Sequence, residues 1–378
     1  MFYFDNSATT QPSETVMKVM QEVAINYFAN PSSIHFMGEK SKALLNSARQ
    51  QVAELLDYKE SEVYFTSSGT EANNWVFQAV LPALGSLHSD RKKVIISSIE
   101  HPSITAQIEM IERMGYIVEL APVDEDGVLD LMALAQLITK DVLILSTMSV
   151  NNEVGSIQPL DAIAELLKDY PQIVWHVDGI QSVTTQFENM LNKRIDLLSL
   201  SSHKFHSVRG VGILAKRQRV DSEPMLYGGG QESGLRSSTE NLPAIVATAK
   251  ALRLSKESQE IVKPKLNMYR EKICQALTHQ NWQIYAEQTG SEHIICAALE
   301  GVPGEVLVHA LAEKSVIVST TSACSSRKHQ AHHTLKAMKI PEAVSTSAIR
   351  ISMSHTTSDE DITALINAIE VVSQKFNK

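Results

Sequence analysis

The chain has 378 residues, of which 43% are hydrophobic and 20% charged, and its formal net charge at pH 7 is -9. This is the composition of an ordinary globular protein, long enough for one large domain and a smaller one. The acidic balance excludes a global basic surface for nucleic acid, and the apolar runs are too short to span a membrane.

The N-terminus, Met-Phe-Tyr-Phe-Asp, lacks the basic start and the long apolar core of a signal peptide, so a cytoplasmic protein is expected. The three cysteines, Cys274, Cys296 and Cys324, are far apart and odd in number. Such a set does not form a disulfide framework, and it fits a reducing compartment.

The first predicted elements are a short strand-like piece at 2–4 and a turn-rich segment that ends at Pro12. A first helix is predicted from Ser13 to about Tyr27. A long helix follows the loop at 29–35. Its apolar side chains share one face, as in an amphipathic helix: Leu44, Leu45, Ala48, Val52, Leu55 and Leu56.

From residue 63 onward, predicted strands alternate with predicted helices. The strands lie at 63–66, 94–97, 117–120, 142–148, 173–178, 197–201 and 211–215. The helices lie at 70–84, 103–114, 129–138 and 160–168. This alternation predicts an α/β fold in which a mostly parallel, seven-stranded sheet has helices on both faces. The last link is too short for a helical crossover, so the final strand is expected to run antiparallel to its neighbour.

The pattern changes near residue 250. Residues 248–277 form a strongly helical, charged stretch, and strand candidates recur at 283–285, 294–299, 316–318 and 349–353. Ser358 and Asp361 are placed to form a capping box that opens a final helix over 362–376. We therefore predict a large domain over 16–254, and a smaller α+β domain made of 255–378 together with 1–15.

Polar side chains follow the carboxyl ends of the predicted strands, where open α/β sheets bind their ligands. The turn at 67–70 opens a helix and offers backbone N–H groups to an anion. His101, Asn152, Asp178 and Lys204 each follow a different buried strand. Taken singly, each feature has an ordinary alternative: a helix start, a polar turn, an N-cap or a solvated loop side chain.

Taken together, these residues form one chemical set. A carboxylate pairs with a protonated ring nitrogen, a lysine forms a Schiff base, a histidine stacks on a planar ring, and the turn holds a phosphate. This set is what pyridoxal 5'-phosphate requires. A nicotinamide cofactor would instead need Gly-x-Gly-x-x-Gly after the first strand, and the sequence lacks that motif there.

Over essentially its whole length, the sequence resembles the class V aminotransferase family, whose members are pyridoxal-phosphate enzymes of fold-type I. Within that family it is most similar to the cysteine desulfurases. The motifs that carry the resemblance follow one another in order: Tyr3-Phe-Asp-Asn-Ser-Ala-Thr-Thr10, Asn30-Pro-Ser-Ser-Ile-His35, Phe65-Thr-Ser-Ser-Gly-Thr-Glu-Ala-Asn73, Glu100-His101, Val150-Asn-Asn-Glu-Val-Gly155, His176-Val-Asp-Gly-Ile-Gln-Ser182, Ser201-Ser-His-Lys204, Gly228-Gly-Gly-Gln-Glu232, Arg236-Ser-Ser-Thr-Glu-Asn241, Ser322-Ala-Cys324 and Ile349-Arg350.

The resemblance implies how the cofactor is held. Lys204 would form the Schiff base and then move protons at the α-carbon of the substrate. Asp178 would pair with the pyridine nitrogen and Gln181 with the phenolic oxygen. His101 would stack on the ring and assist proton transfer. The phosphate would be bound by Gly69, Thr70, Ser201 and His203.

The resemblance also implies the partners. Thr239 would reach the cofactor phosphate of a neighbouring subunit, so a homodimer is expected. Asn152 and Arg350 would bind the α-carboxylate of L-cysteine, since the guanidinium fork matches a carboxylate. The thiolate of Cys324 would attack the substrate sulfur, which leaves alanine and a persulfide. The sulfur would then pass to acceptor proteins for iron–sulfur cluster assembly or tRNA thiolation.

The surroundings of Cys324 are polar, with basic residues three and four positions later, and this favours an exposed thiolate over a small buried hydrophobic residue. Cys274 and Cys296 lie in apolar patterns and are expected to be structural. Histidines at 329, 332 and 333 make a metal site conceivable. A histidine-rich surface is the simpler interpretation, so no metal is expected.

Two other interpretations stay open. The first is a different enzyme of the same family, a selenocysteine lyase or an aminotransferase, although Cys324 argues against an aminotransferase. The second is a non-catalytic scaffold that binds sulfur-carrier proteins. The intact set of Lys204, Asp178, His101 and Cys324 argues against it.

The sequence departs from the family's usual glycine and proline at 68, 207, 208, 238 and 321. Such a change costs stability wherever glycine is needed for a positive φ.

Overall fold

The computed structural model of the protein describes residues 1–321 and 333–376. The chain begins with a short strand, β1 (Phe2–Tyr3), and two helices, α1 (Glu14–Asn26) and α2 (Phe36–Leu56). Ser13 starts α1 as its N-cap, because its side-chain oxygen accepts a hydrogen bond from the backbone N–H of Val16 (3.3 Å). Both predicted N-terminal helices are confirmed.

A seven-stranded sheet lies at the centre of the fold, with its strands in the spatial order β2-β8-β7-β6-β5-β3-β4. The neighbours from β4 through β7 pair in parallel, whereas β8 is antiparallel to both β7 and β2. The predicted parallel sheet and its antiparallel last strand are therefore confirmed. The strands are β2 (Val63–Thr66), β3 (Lys93–Ser97), β4 (Ile117–Ala121), β5 (Val142–Met148), β6 (Val174–Asp178), β7 (Leu197–Ser201) and β8 (Gly212–Lys216).

Helices cover both faces of this sheet. Alternate strand residues point to opposite faces, so Val63 and Phe65 of β2 join one apolar cluster and Tyr64 joins another. Every residue of β5, β6 and β7 is buried. The helices between the strands are α3 (Gly69–Trp75), which continues through a π-helical stretch (Val76–Val80) into α4 (Leu81–Leu87), then α5 (Pro102–Thr105), α6 (Ile108–Arg113), α7 (Leu131–Leu137) and α8 (Leu160–Leu166).

Two helices, α9 (Leu242–Glu257) and α10 (Gln259–His279), connect the sheet to the C-terminal part. The prediction of one helix over 248–277 was wrong in two respects: the first helix begins earlier than residue 248, and Ser258 divides the stretch into two helices. Asn241 caps the backbone N–H of Ala244 (3.4 Å), so the helix begins earlier. Ser258 interrupts it, and its hydroxyl donates to the carbonyl of Ser255 (3.1 Å).

The C-terminal part is built on a four-stranded antiparallel sheet with the order β12-β13-β10-β9, while β11 pairs in parallel with β1. The predicted capping box is confirmed, since Ser358 and Asp361 exchange side-chain to backbone hydrogen bonds of 2.8 and 3.2 Å. The elements are β9 (Gln283–Tyr285), β10 (Ile294–Ala298), α11 (Gly304–Ala312), β11 (Val316–Ile317), β12 (Ser319–Thr320), α12 (His333–Ala337), α13 (Glu342–Ser345), β13 (Ala348–Ser352) and α14 (Asp359–Phe376).

The N-terminal segment packs on this C-terminal part. Phe4 is fully buried in an apolar cluster whose other buried members lie between residues 262 and 372. The backbone N–H of Ser352 donates to the carbonyl of Phe4 (2.7 Å). The division into two domains stays a prediction. Among the helices of the described ranges, none has both the length and the apolar character needed to cross a membrane.

Replacing Phe4 with alanine is expected to lower the free energy of unfolding by about 3–5 kcal/mol, because the whole ring is buried. Urea denaturation followed by circular dichroism measures this change. Met132→Ala is the control, since Met132 is 80% exposed and its removal leaves no cavity. Equal stabilities for the two variants would contradict the packing of the N-terminal segment.

Candidate active site

A pocket of about 310 Å³ lies at the carboxyl ends of the large sheet's central strands. Ser7 and Ala8 of the N-terminal segment and Arg350 of β13 also line it, so the pocket lies between the sheet and the rest of the fold. Most of the predicted site residues meet there: Gly69, Thr70, His101, Asn152, Asp178, Gln181, Ser201, His203, Lys204 and Arg350.

Asp178, at the end of β6, is the buried carboxylate of the pocket, only 4% exposed. Its two oxygens accept hydrogen bonds from the side-chain amide of Asn73 (2.8 Å) and the backbone N–H of Ile180 (3.0 Å). Burial raises its pKa above the usual range. Asp178 forms no salt bridge within residues 1–321 and 333–376, although the charge of Lys204 favours its ionised form, and a bound cationic group would favour it further.

His101 follows β3, and hydrogen bonds through Asn73 and Ser103 link it to Asp178. The amide of Asn73 donates both to Asp178 and to the hydroxyl of Ser103 (2.9 Å). The backbone N–H of Ser103 donates to Nδ1 of His101 (3.1 Å), which places the proton of the neutral ring on Nε2. Burial, and secondly the charge of Lys204, lower the pKa of His101 to about 4.

Lys204 lies on a 3₁₀ turn (Ser202–Lys204) directly after β7. Its ammonium donates to the backbone carbonyls of Ser7 and Ala8, the latter at 2.9 Å. The carbonyl of Ser7 also accepts a hydrogen bond from the side chain of Gln181 (3.0 Å). The N-terminal segment therefore holds two predicted cofactor-binding side chains in place, a link between distant residues that sequence patterns do not show.

The turn at 67–70 opens α3, as predicted, and Ser68 is the N-cap of that helix. The backbone N–H of Gly69 lies 3.4 Å from the hydroxyl of Ser201. A Cβ atom at Gly69 would come within 2.4 Å of the terminal methyl of Ile180 and 2.9 Å of the Cβ of Ser201, so a larger residue would force both side chains to shift. Glu71 steadies the turn, since its carboxylate accepts the backbone N–H of Ser67 (2.8 Å) and pairs with Arg236 (2.7 Å).

Arg350 forms the opposite wall, with 4% of its surface exposed. It donates to the carbonyl of Asn152 (2.8 Å), to the carboxylate of Asp5 (2.9 Å) and to the hydroxyl of Ser319 (3.0 Å). The guanidinium is thus fixed by three different parts of the chain. Asp5 is a member of the site that sequence reasoning missed.

Glu153 and Glu100 are two further buried carboxylates that sequence reasoning did not single out. Glu153 lines the pocket, and burial raises its pKa to about 7 although Thr334 and Arg350 favour the charged form. Glu100 is 1% exposed, and burial followed by repulsion from Asp178 raises its pKa well above the usual range. Both lie in motifs quoted above, but the sequence carries no sign that these particular acids are buried.

Backbone strain does not accompany the departures from glycine and proline. None of Ser68, Ser207, Val208, Ser238 and Thr321 has a positive φ. In the same region His206 adopts the left-handed conformation (φ 61°), and its backbone N–H donates to the hydroxyl of Thr10 (2.7 Å). These substitutions therefore impose no left-handed strain on the pocket.

Of the predicted site residues that the structure describes, Thr239 lies apart from this pocket. Thr239 is exposed and lines a separate cavity together with Ser67 and Arg236. Cys324 lies outside the described residues, as do the histidines at 329 and 332. Thr321, three residues before Cys324, lines the pocket and is 3% exposed. Cys274 and Cys296 are buried, as predicted for structural cysteines.

Comparison with known proteins gives one consistent family. A family profile described as "Aminotransferase class-V" matches residues 2–365. The "NifS/IcsS protein homolog" of Lactobacillus delbrueckii subsp. bulgaricus is 40% identical, over 100% of this chain and 98% of its own. "Cysteine desulfurase IscS" of Methanosarcina thermophila is 34% identical, over 99% of this chain and 92% of its own. A solved "NIFS-LIKE PROTEIN" superposes with a TM-score of 0.92 and is 31% identical, with 100% of both chains covered.

We expect His101 to remain neutral, with its proton on Nε2, from pH 8 down to about pH 5, because its pKa is about 4. Nitrogen-15 NMR of histidine-labelled protein measures the ring shifts, and His101→Gln assigns the signal. A midpoint near the ordinary histidine value, about 6.5, would contradict the burial that lowers this pKa.

Proposed function

Because the chain belongs to the class V aminotransferase family, we propose that it is a pyridoxal-phosphate-dependent cysteine desulfurase. It converts L-cysteine to L-alanine and passes the sulfur on to acceptor proteins. The observation that carries the proposal is the single pocket in which Lys204, Asp178, His101 and Arg350 meet. The full-length similarity to relatives named cysteine desulfurase supports the choice of reaction.

The residues of the pocket fit pyridoxal 5'-phosphate. Asp178 is a buried carboxylate without a cationic partner in the described chain, and a protonated pyridine nitrogen would supply that partner. Gln181 would bind the phenolic oxygen and Lys204 would form the Schiff base. The phosphate would be held at the turn that opens α3, where a side chain in place of Gly69 would crowd Ser201, by Gly69, Thr70, Ser201 and His203.

When bound, the cofactor supplies an electron-accepting ring that stabilises negative charge at the α-carbon of an amino acid. The protein supplies position and proton transfer. Lys204 would accept and return the proton at the α-carbon. His101, neutral at physiological pH, would stack on the ring and assist that transfer. Arg350, with Asn152, would hold the α-carboxylate.

Cys324 is proposed as the nucleophile. Its thiolate attacks the sulfur of L-cysteine, and the carbon–sulfur bond breaks with its electron pair left on carbon. That carbon takes up a proton and becomes the methyl group of alanine, while Cys324 keeps the sulfur as a persulfide. The position of Thr321 in the pocket wall supports this role, because Cys324 follows it by three residues.

Assembly as a homodimer and transfer of sulfur to acceptor proteins, for iron–sulfur cluster assembly or tRNA thiolation, are part of the same proposal. Thr239 supports the dimer, because it lies outside the pocket of its own chain and is exposed. It is therefore available to a cofactor in a second copy. A homodimer with both active sites filled would place Thr239 of each chain at the phosphate in the other.

Cys324→Ala is expected to reduce alanine formation from L-cysteine at least about 100-fold, because the described residues that line the pocket include no other cysteine to accept the sulfur. Alanine is measured with a reductant present. Cys274→Ala is the control, since Cys274 is buried and 7% exposed. Full activity in Cys324→Ala would contradict the persulfide mechanism. The absence of alanine from cofactor-loaded wild type would contradict the choice of substrate.

Lys204→Ala is expected to abolish the visible absorption band of a Schiff base, because Lys204 is the only lysine among the described residues that line the pocket. The band is measured after incubation with pyridoxal 5'-phosphate and removal of the excess. Lys18→Ala, a change on the exposed face of α1, serves as the control. A purified wild-type protein that takes up no cofactor would favour the non-catalytic scaffold instead.

A further inference from the structure

The guanidinium of Arg350 is already paired inside the protein. Its Nη2 donates to the carboxylate of Asp5 (2.9 Å) and to the hydroxyl of Ser319 (3.0 Å), and its Nη1 donates to the carbonyl of Asn152 (2.8 Å). The side chains of Arg350 and Asp5 are 4% and 19% exposed. The charge that is proposed to bind substrate therefore has a fixed internal counter-ion.

The pairing leaves part of the guanidinium unused. Nε of Arg350 is buried and has no hydrogen-bond partner in the described ranges. A buried donor without a partner is costly, and a carboxylate is the group that best satisfies a guanidinium. Since Arg350 lines the pocket, a ligand carboxylate that enters there can accept hydrogen bonds from guanidinium N–H groups that the protein's own acceptors do not use.

Asp5 is itself held firmly on the strand that carries Arg350. Its residue forms a parallel bridge with Ser352 of β13, two positions from Arg350. The neighbouring backbone groups of Phe4 and Asn6 hydrogen-bond to Ser352 (2.7 and 3.4 Å). The backbone carbonyl of Asp5 also accepts from Ala8 N–H (3.0 Å). The backbone that carries the Asp5 carboxylate is therefore fixed beside Arg350.

We propose that Asp5 is a positioning residue for amino-acid binding, which orients Arg350 so that its remaining N–H groups receive the α-carboxylate of the ligand. This rests on the proposed function in that the ligand is an α-amino acid. Without Asp5, Nη2 loses its charged acceptor and the long side chain can turn away. Each binding event would then carry the entropic cost of ordering the Arg350 side chain.

Two substitutions separate orientation from charge. Asp5→Asn keeps a side-chain oxygen that can accept from Nη2, and it leaves the positive charge of Arg350 less neutralised. Asp5→Ala removes the acceptor altogether. If Asp5 acts by orientation, the asparagine variant keeps carboxylate binding and the alanine variant loses it.

The test uses L-alanine and ethylamine, which differ only in the carboxylate, on the cofactor-loaded protein. Binding is followed by the change in visible absorbance. Asp5→Ala is expected to weaken L-alanine binding at least about 10-fold, as the loss of a charge-assisted hydrogen bond predicts, and ethylamine binding less than about 2-fold. Asp5→Asn is expected to stay within about 3-fold of wild type for both ligands. Glu22→Ala, which removes an exposed carboxylate from α1, is the control.

Three outcomes would overturn the inference: unchanged L-alanine binding in Asp5→Ala, equal weakening of both ligands, or an asparagine variant as poor as the alanine variant. If Asp5→Ala does not fold, Ser319→Ala removes the other acceptor of Nη2 and should weaken L-alanine selectively, by about 3-fold or more. Equal effects of Ser319→Ala on both ligands would then count against the inference.

The same measurements separate this inference from the proposed reaction. A wild-type protein that forms no alanine from L-cysteine, but prefers L-alanine to ethylamine, would reject the reaction alone. Loss of that preference in Asp5→Ala would still support the positioning role. With L-cysteine as substrate, Asp5→Ala is expected to raise KM at least about 10-fold while kcat changes less than about 3-fold.

Discussion

The burial of one carboxylate, Asp178, is the constraint around which the active site is arranged. A carboxylate at the end of a fully buried strand keeps its charge only if hydrogen bonds or a cation compensate for the loss of water. The structure provides the hydrogen bonds through Asn73 and Ile180, and the charge of Lys204 also favours the ionised form. Because Asn73 also bonds Ser103, which holds His101, the same amide that steadies the carboxylate orients the ring of the histidine.

A second requirement is to close a pocket whose walls come from opposite ends of the chain. The N-terminal segment meets this requirement with two different groups. The backbone carbonyls of Ser7 and Ala8 hold Lys204, and the carboxylate of Asp5 holds Arg350. A segment of a few residues therefore positions both the amine that is proposed to bind the cofactor and the guanidinium that is proposed to bind the substrate.

Local patterns predicted the sheet and the residues at its strand ends, because short apolar runs, the helices between them and turn residues all depend on neighbours in the sequence. The helix break at Ser258 was missed, since a serine within a helical pattern gives only a weak signal. The contacts of Asp5 and Asn73 were missed for another reason. They join residues 345 and 105 positions apart in sequence, and no local pattern encodes which distant group a polar side chain meets. Thr239 and Cys324 rest on the family resemblance.

The Asp5–Arg350 pair also bears on how the protein is made. Arg350 lies 345 positions after Asp5, which belongs to the segment that follows β1. During synthesis the lysine and the sheet emerge long before Arg350 does, so the nascent chain holds an open half-site. The Asp5–Arg350 pair therefore forms only after synthesis has passed residue 350, and the guanidinium proposed to bind the α-carboxylate gains its counter-ion no earlier than that.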